Sequence, residues 1–381
     1  MIRLFYCLFF LQFLSLPAYS QSGMLSNGEQ LSLHSSFLEE ERSLFIHTPG
    51  SYSKTGTPLP VLIALDGEWS FRNAVAITEH LAASGRMPPM IVVGIPNTIR
   101  DGRPTRFRDL TPAGPGGVNN NSGGAEQFLR FIVDEALPFI EERYTTAPHR
   151  VLVGHSLGGL FTVYAMLQNP EAFNAFFSIS PSLGRNNQQQ VQRALDVYSK
   201  GVSYPAAFHL SIGNEGGNTM LGVEAFVEVL NAHAAEEIRW RYEAYEEEDH
   251  VSVVYRSLYD ALEWTYEGWT VPEHLLTDND ISIVQRHYQA ISKRLGIEVS
   301  VPEHYYTRLG YRILGEQDFD YAIWTFQQYH EAYPGSSGAL VGLGDAELMR
   351  GELEKASAYY EQALALNPLD ERASHMKKAL H

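Results

Sequence analysis

The sequence predicts an α/β domain on a doubly wound, largely parallel sheet, followed by an all-α repeat region. Three observations carry this. Between residues 42 and 270, short β-rich apolar runs alternate with longer amphipathic stretches. From about residue 275 onward the strand signal stops. Within that last part, residues 303–334 and 337–368 align with each other at a period of 34.

The chain has 381 residues, enough for two or three domains with cores of their own. Lys and Arg number 28 against 45 Asp and Glu, a formal charge of -17. That balance argues against nucleic acid, or an anionic membrane, as a partner held by charge.

Residues 1–20 stand apart. A basic start at Arg3 leads into an apolar run from Leu4 to Leu16, then Pro17-Ala18-Tyr19-Ser20, with small residues spaced as at a signal-peptidase site. The run falls short of the roughly 20 residues that span a bilayer. A cleavable leader is expected, with a periplasmic or secreted destination and no stable membrane insertion afterwards. Cleavage removes Cys7, the one cysteine, so neither a disulfide nor a thiol nucleophile is expected.

The α/β domain is expected over 21–270, with strands at 44–47, 61–65, 91–95, 151–154, 176–179, 208–212 and 238–242. Most of these runs are continuously apolar rather than alternating, as in strands buried on both faces. Amphipathic stretches at 125–144, 157–168 and 251–264 read as helices. The Gly-, Pro- and Asn-rich segment 112–124 reads as a surface loop, either a lid or a plain connection.

The helical region is expected over 275–381. Leu309-Gly310 matches Leu343-Gly344, Ala322 matches Ala356, Phe326 matches Tyr360, and Pro334 matches Pro368. This is tetratricopeptide spacing, with small residues where paired helices touch and Pro closing each unit. Such repeats commonly offer a groove to a protein partner. Two repeats are fewer than the usual three, so either the helical stretch 278–295 caps them or they lean on the α/β domain.

Gly154-His155-Ser156-Leu157-Gly158 fits Gly-x-Ser-x-Gly between a β-rich run and a helical pattern. A nucleophile elbow needs that context: strand, cramped turn, helix, and glycines where backbones approach. Ser156 is the candidate nucleophile. It needs a base, and in this arrangement the chain order is Ser, acid, His. His250 lies 94 residues later, between a strand and a helix, and is the candidate base. His155 reads as a packing or local hydrogen-bonding residue, and His209 as core. The candidate acid is Glu215, in the loop after the 208–212 strand, unless another group orients the histidine. Two backbone donors are expected for an oxyanion: Leu157, and either Glu68 or Trp69 in the loop after the 61–65 strand. The anionic run from Glu243 to Asp249 is either a solvated face or a charge cluster acting on His250. No residue set has zinc or calcium spacing, so neither a metal nor a cofactor is expected.

Six segments together resemble the esterase family of α/β hydrolases. They are Leu65-Asp66-Gly67-Glu68, the run from Arg106 to Pro112, the run from Ser122 to Phe128, Gly154 to Gly159, Ile179 to Ser182, and Asp249 to Ser252. That family includes siderophore esterases, S-formylglutathione hydrolase, feruloyl and acetylxylan esterases and mycolyltransferases. The Arg106–Pro112 and Gly154–Gly159 runs are most similar to its exported siderophore-esterase-like members. The resemblance implies an α/β-hydrolase fold, Ser156 as nucleophile and His250 as base in ester hydrolysis. It leaves the acid open, since some members work with a Ser–His pair. A small-molecule or glycan ester is the implied substrate. Arg106 and Arg108 are read either as contacts for an anionic part of it or, with at least equal weight, as members of structural salt bridges. A catalytically silent hydrolase fold supporting a protein-binding repeat region is the contrasting expectation.

Overall fold

The computed structural model describes residues 28–380 apart from Thr55, Pro115, Gly116, Asn119, Asn120, Pro205, Glu236, Glu237 and Asp278. The expected leader lies outside the described residues.

Among the described residues, eight strands form one sheet: β1 Glu29–Ser35, β2 Glu40–His47, β3 Leu59–Leu65, β4 Ile91–Ile95, β5 Thr146–His155, β6 Ala175–Ile179, β7 Ala207–Gly213 and β8 Arg239–Tyr245. Their order is β1-β2-β4-β3-β5-β6-β7-β8. β1 pairs antiparallel with β2, and β2 with β4; the remaining pairs are parallel. β3, β4 and β6 are buried at every position, as their unbroken apolar runs require. The strand β1 was not expected. Its Glu-Gln-Leu-Ser-Leu-His-Ser sequence alternates, and only one face of this edge strand meets the core.

The helices Gly67–Ala83 and Val253–Thr265 pack on one sheet face, and Leu157–Gln168, Arg185–Tyr198 and Gly217–His233 on the other. The helix expected over 125–144 covers 125–141 and contains a π segment, Phe131–Ala136. Pro138 has no N–H for the carbonyl four residues earlier, which disfavours a regular ladder there. The described ends of the 112–124 loop are tied down: Gly123 N–H donates to Thr111 Oγ1 at 3.1 Å and Gly124 N–H to the Arg108 carbonyl at 2.9 Å.

After Thr265 the described elements are helical. Two helix pairs, Glu303–Gly315 with Phe319–Ala332 and Ser337–Arg350 with Leu353–Leu366, form the repeats, followed by Glu371–Ala379. The matched small residues explain themselves here. A Cβ on Gly310 would lie 2.6 Å from the Phe326 ring, and one on Gly344 would lie 2.6 Å from the Tyr360 ring. The helix Ile281–Leu295 joins the repeats to the sheet. His149 Nδ1–H, on β5, donates to the Leu295 carbonyl at 3.2 Å, and Tyr288 Oη–H to the Trp269 carbonyl at 2.8 Å. Val271 N–H donates to Tyr305 Oη at 2.9 Å. One hydrophobic core therefore runs from Val153 and Phe177 through Tyr266, Tyr288 and Tyr305 to Leu343. The repeats lean on the α/β domain through this helix. No described helix is long and apolar enough to cross a membrane.

Candidate active site

Ser156 stands between the end of β5 and the helix Leu157–Gln168, at φ 59 and ψ -111. A non-glycine residue pays for such a backbone only where the surroundings enforce it. They do so by contact. A Cβ on Gly154 would sit 2.2 Å from the Gly158 carbonyl oxygen, and one on Gly159 would sit 2.9 Å from that of Ile179. Ser156 N–H donates to the Ile179 carbonyl at 2.9 Å, and Ser182 N–H to the Ser156 carbonyl at 3.1 Å. The turn thereby lifts Ser156 Oγ above the C-terminal edge of the sheet, at the start of a helix whose dipole is positive there.

His250 arrives from the loop after β8. Its Nε2 lies 3.1 Å from Ser156 Oγ, and its Nδ1 lies 2.7 Å from Glu215 Oε2. In the neutral ring, Nδ1–H donates to Glu215, which leaves Nε2 to accept from the serine hydroxyl. Glu215 comes from the loop after β7, with its side chain 11% exposed. Gly213 lets the two loops meet, because a Cβ there would be 2.7 Å from the Asp249 carbonyl oxygen. Asn214 N–H then donates to the Glu248 carbonyl at 2.6 Å. The three residues singled out by chain order thus form one hydrogen-bonded series.

The anionic run divides its work. Glu243 faces His209, Tyr245 and Arg241, and the hydrogen bond from His209 leads in drawing its carboxyl down to about 2. Asp249 accepts from the N–H groups of Val251 and Ser252, both at 2.8 Å, and these bonds lower its pKa. Glu246 and Glu247 are exposed. Glu215 is the carboxylate in hydrogen-bond contact with the His250 ring. His209 is fully buried in β7, as expected of a core residue.

The His155 ring is bonded to the backbone of His250 rather than to Ser156 Oγ. Its Nε2 lies 2.6 Å from the His250 carbonyl oxygen, and the two rings are 4.6 Å apart between centroids. Burial, helped by the His250 charge, pushes its pKa down to about 4.

The turn expected to supply an oxyanion donor follows β3. Asp66 has φ 53, and a Cβ on Gly67 would lie 2.8 Å from the Gly94 and Ile95 backbone. Trp69 N–H donates to the Asp66 carbonyl at 2.9 Å, so Glu68 is the better candidate for the second donor beside Leu157. The Trp69 side chain is 80% exposed at the mouth of a mainly apolar cavity of about 320 Å³. Leu65, Val153, Ile179, Val251 and Leu258 line that cavity.

The two arginines named as candidate substrate contacts are engaged in ion pairs within the chain. Arg106 donates through Nε to Asp66 Oδ1 at 2.6 Å and through Nη2 to Asp66 Oδ2 at 2.8 Å. Arg108 pairs with Glu40 at 2.7 Å and with Asp109, also at 2.7 Å. Asp109 in turn holds the buried Arg42 at 2.6 Å. Buried carboxylates require counter-charges, and these arginines supply them. Asn97 was not foreseen: its Nδ2 donates to Asp66 Oδ1 and Glu68 Oε1, each at 2.7 Å. Its one signal is its place just beyond the C-terminal end of β4. Ser182, whose Oγ is 3.5 Å from Ser156 Oγ, was likewise not singled out.

Comparison with known proteins places this geometry. A family model described as "Putative esterase" matches residues 35–265, and one described as "Tetratricopeptide repeat" matches residues 314–380. The chain is 35% identical over 156 residues to the ferri-bacillibactin esterase BesA of Bacillus subtilis, covering 35% of this chain and 53% of that protein. It is 32% identical over 141 residues to the siderophore enterobactin esterase of Emericella nidulans, covering 33% and 46%. The chain spans about half the length of these curated relatives. The crystal structure of an IroE-like serine hydrolase from Shewanella oneidensis superposes with a TM-score of 0.64 at 25% identity, covering 85% of this chain and 99% of that one.

Proposed function

This chain belongs to the esterase family matched over residues 35–265, and we propose that it is an exported serine esterase that cleaves siderophore-type esters through an acyl-enzyme on Ser156. The observation that carries the proposal is the series Ser156 Oγ, His250 Nε2, His250 Nδ1, Glu215 Oε2, with separations of 3.1 and 2.7 Å between side chains. A silent scaffold has no need of that alignment on a strained elbow.

In the proposed reaction, His250 Nε2 takes the Ser156 proton as Oγ bonds to the ester carbonyl carbon. The carbonyl oxygen becomes an oxyanion held by the N–H groups of Leu157 and Glu68. The carbon–oxygen bond to the alcohol then breaks, and His250 returns the proton to the leaving alkoxide. Water attacks the acyl-enzyme through the same histidine, releasing the acid and restoring the Ser156 hydroxyl. Glu215 holds Nδ1–H and stabilises the imidazolium.

The siderophore class is supported by the relatives, whose names give ferri-bacillibactin and enterobactin as substrates. Export is supported by the leader-like residues 1–20. The test is hydrolysis by the chain from Gln21 onward, beside Ser156→Ala, of a catecholate trilactone, a p-nitrophenyl ester, a feruloyl ester and acetylated xylan. Turnover of the trilactone by wild type alone is expected. Turnover of a carbohydrate ester instead moves the enzyme to another branch of the family, and silence on every ester, in both proteins, contradicts the enzyme reading.

A further inference from the structure

We propose that the apolar cavity beneath Trp69 is a substrate subsite that holds a neutral, apolar group of the ester, of benzoyl to hexanoyl size. The proposal rests on the esterase reading above and names the kind of ester that site takes. The cavity, of about 320 Å³, lies between the first turns of the helices Gly67–Ala83 and Val253–Thr265. Leu65, Val153 and Ile179, from the C-terminal parts of β3, β5 and β6, form its floor.

Its place ties it to the reacting groups. Trp69 follows Glu68, the candidate oxyanion donor, and Val251 follows His250. Both side chains line the cavity, and both are exposed, at 80% and 73%. Gly154 and His155, the two residues before Ser156, belong to its wall. The cavity thus opens between the same two loops that an ester at Ser156 must touch, one through its carbonyl oxygen and the other through its leaving oxygen.

Packed interiors leave few voids larger than a water molecule. This one stays open because the two helices present small side chains to it, Ser70 and Val254, where a filled core would carry Leu or Phe. A dry cavity of about 150 Å³ accepts benzene, so the present volume takes a ring or a six-carbon chain with its linking atoms.

The lining selects a neutral occupant. Its two charged groups, Asp66 and Arg106, are paired with each other at 2.6 and 2.8 Å. Ser70 Oγ–H donates to the Leu65 carbonyl at 2.6 Å, and His155 Nε2 is bonded to the His250 carbonyl. Among the described residues that line the cavity, no charge is left to neutralise a buried ion, which would lose its hydration uncompensated. Asn73 supplies one amide for a single polar atom of the occupant.

The experiment has three arms. In the first, p-nitrophenyl esters of two, four, six and eight acyl carbons are compared with alkyl acetates of the same chain lengths. In one series kcat/KM should rise roughly two- to fourfold per methylene, up to six carbons, and then level off. A rise in the first series seats the acyl group in the cavity, and a rise in the second seats the alcohol. In the second arm, benzamide, benzoate and benzamidinium offer one shape with three charges. Benzamide should compete with the six-carbon ester, and the two ions should compete at least tenfold more weakly. In the third, Val254→Phe fills the cavity from one wall and should cut the six-carbon preference at least tenfold. A flat profile in both series, equal competition by all three aromatics, or a preference that survives Val254→Phe would overturn the proposal. The first two arms need only the wild-type chain and decide even where Val254→Phe does not fold. Failure of the esterase reading is distinguishable: no ester would then turn over, while calorimetric titration with benzamide would still show the cavity filled.

Discussion

His155 donates its Nε2–H to the carbonyl oxygen of His250 at 2.6 Å, so the residue before Ser156 holds the backbone of His250. His155 is largely buried, and burial with the neighbouring His250 lowers its pKa from 6.5 to about 4. Burial likewise lowers that of His149, between β5 and the repeats, to about 4.

Stability should therefore depend on pH in a defined direction. As pH falls below 6.5, the unfolded chain protonates these rings while the folded one does not. The stabilisation is complete above that value and is lost as pH falls toward 4. Urea unfolding between pH 7 and 4.5 should show a decline of at most about 1.4 kcal/mol per pH unit for each ring. Replacing His149 with Gln should remove its share of the slope. An unchanged slope in that variant would contradict the assignment.

Glu215→Gln should keep the fold and lower kcat. A Gln amide can present N–H to His250 Nδ1 and so favour the wrong tautomer. The loss should be about 10²- to 10⁴-fold, by analogy with other serine triads, with the thermal midpoint shifted by only a few degrees. A loss below threefold would reduce the machinery to a Ser–His pair.

Gly154→Ala tests the elbow. The added Cβ would meet the Gly158 carbonyl oxygen at 2.2 Å, and backbone rather than a flexible side chain must yield. A destabilisation of about 3 kcal/mol is expected, near the upper end for overpacking, together with loss of activity. A melting temperature within a degree of wild type would contradict the geometry.

The shared core predicts that the repeats and the α/β domain unfold together. Calorimetry should show one transition for the whole chain. Tyr305→Phe should lower its midpoint, because it removes the acceptor of the buried Val271 N–H, at a cost of about 1–3 kcal/mol. Two separated transitions would mean that the joint at Ile281–Leu295 is weak.

Much of this was legible before the structure, for identifiable reasons. The parallel strands have unbroken apolar runs because both faces are covered, and the elbow motif depends on local backbone approach that glycines advertise. Gly310 and Gly344 are legible for the same reason, each facing an aromatic ring one helix later. The edge strand β1 was not legible, because half its residues meet solvent and its polar alternation resembles a loop. The partners of Arg106 and Arg108 were not legible either. Asp66 lies 40 residues from Arg106 and Glu40 lies 68 from Arg108, and nothing local announces such pairs. Chain order selected Glu215, but only the approach of two loops at Gly213 brings it to His250.

The central claim is that Ser156 carries the acyl group, and the most direct measurement is intact mass during turnover of p-nitrophenyl acetate at low pH, with a stopped-flow record of p-nitrophenol release. Wild type should release one equivalent in a burst and gain one acetyl group, located by peptide mapping on Ser156. Ser156→Ala should show neither. A burst and an acetyl adduct that persist in Ser156→Ala, or turnover by wild type with the acyl group on another residue, would contradict the account.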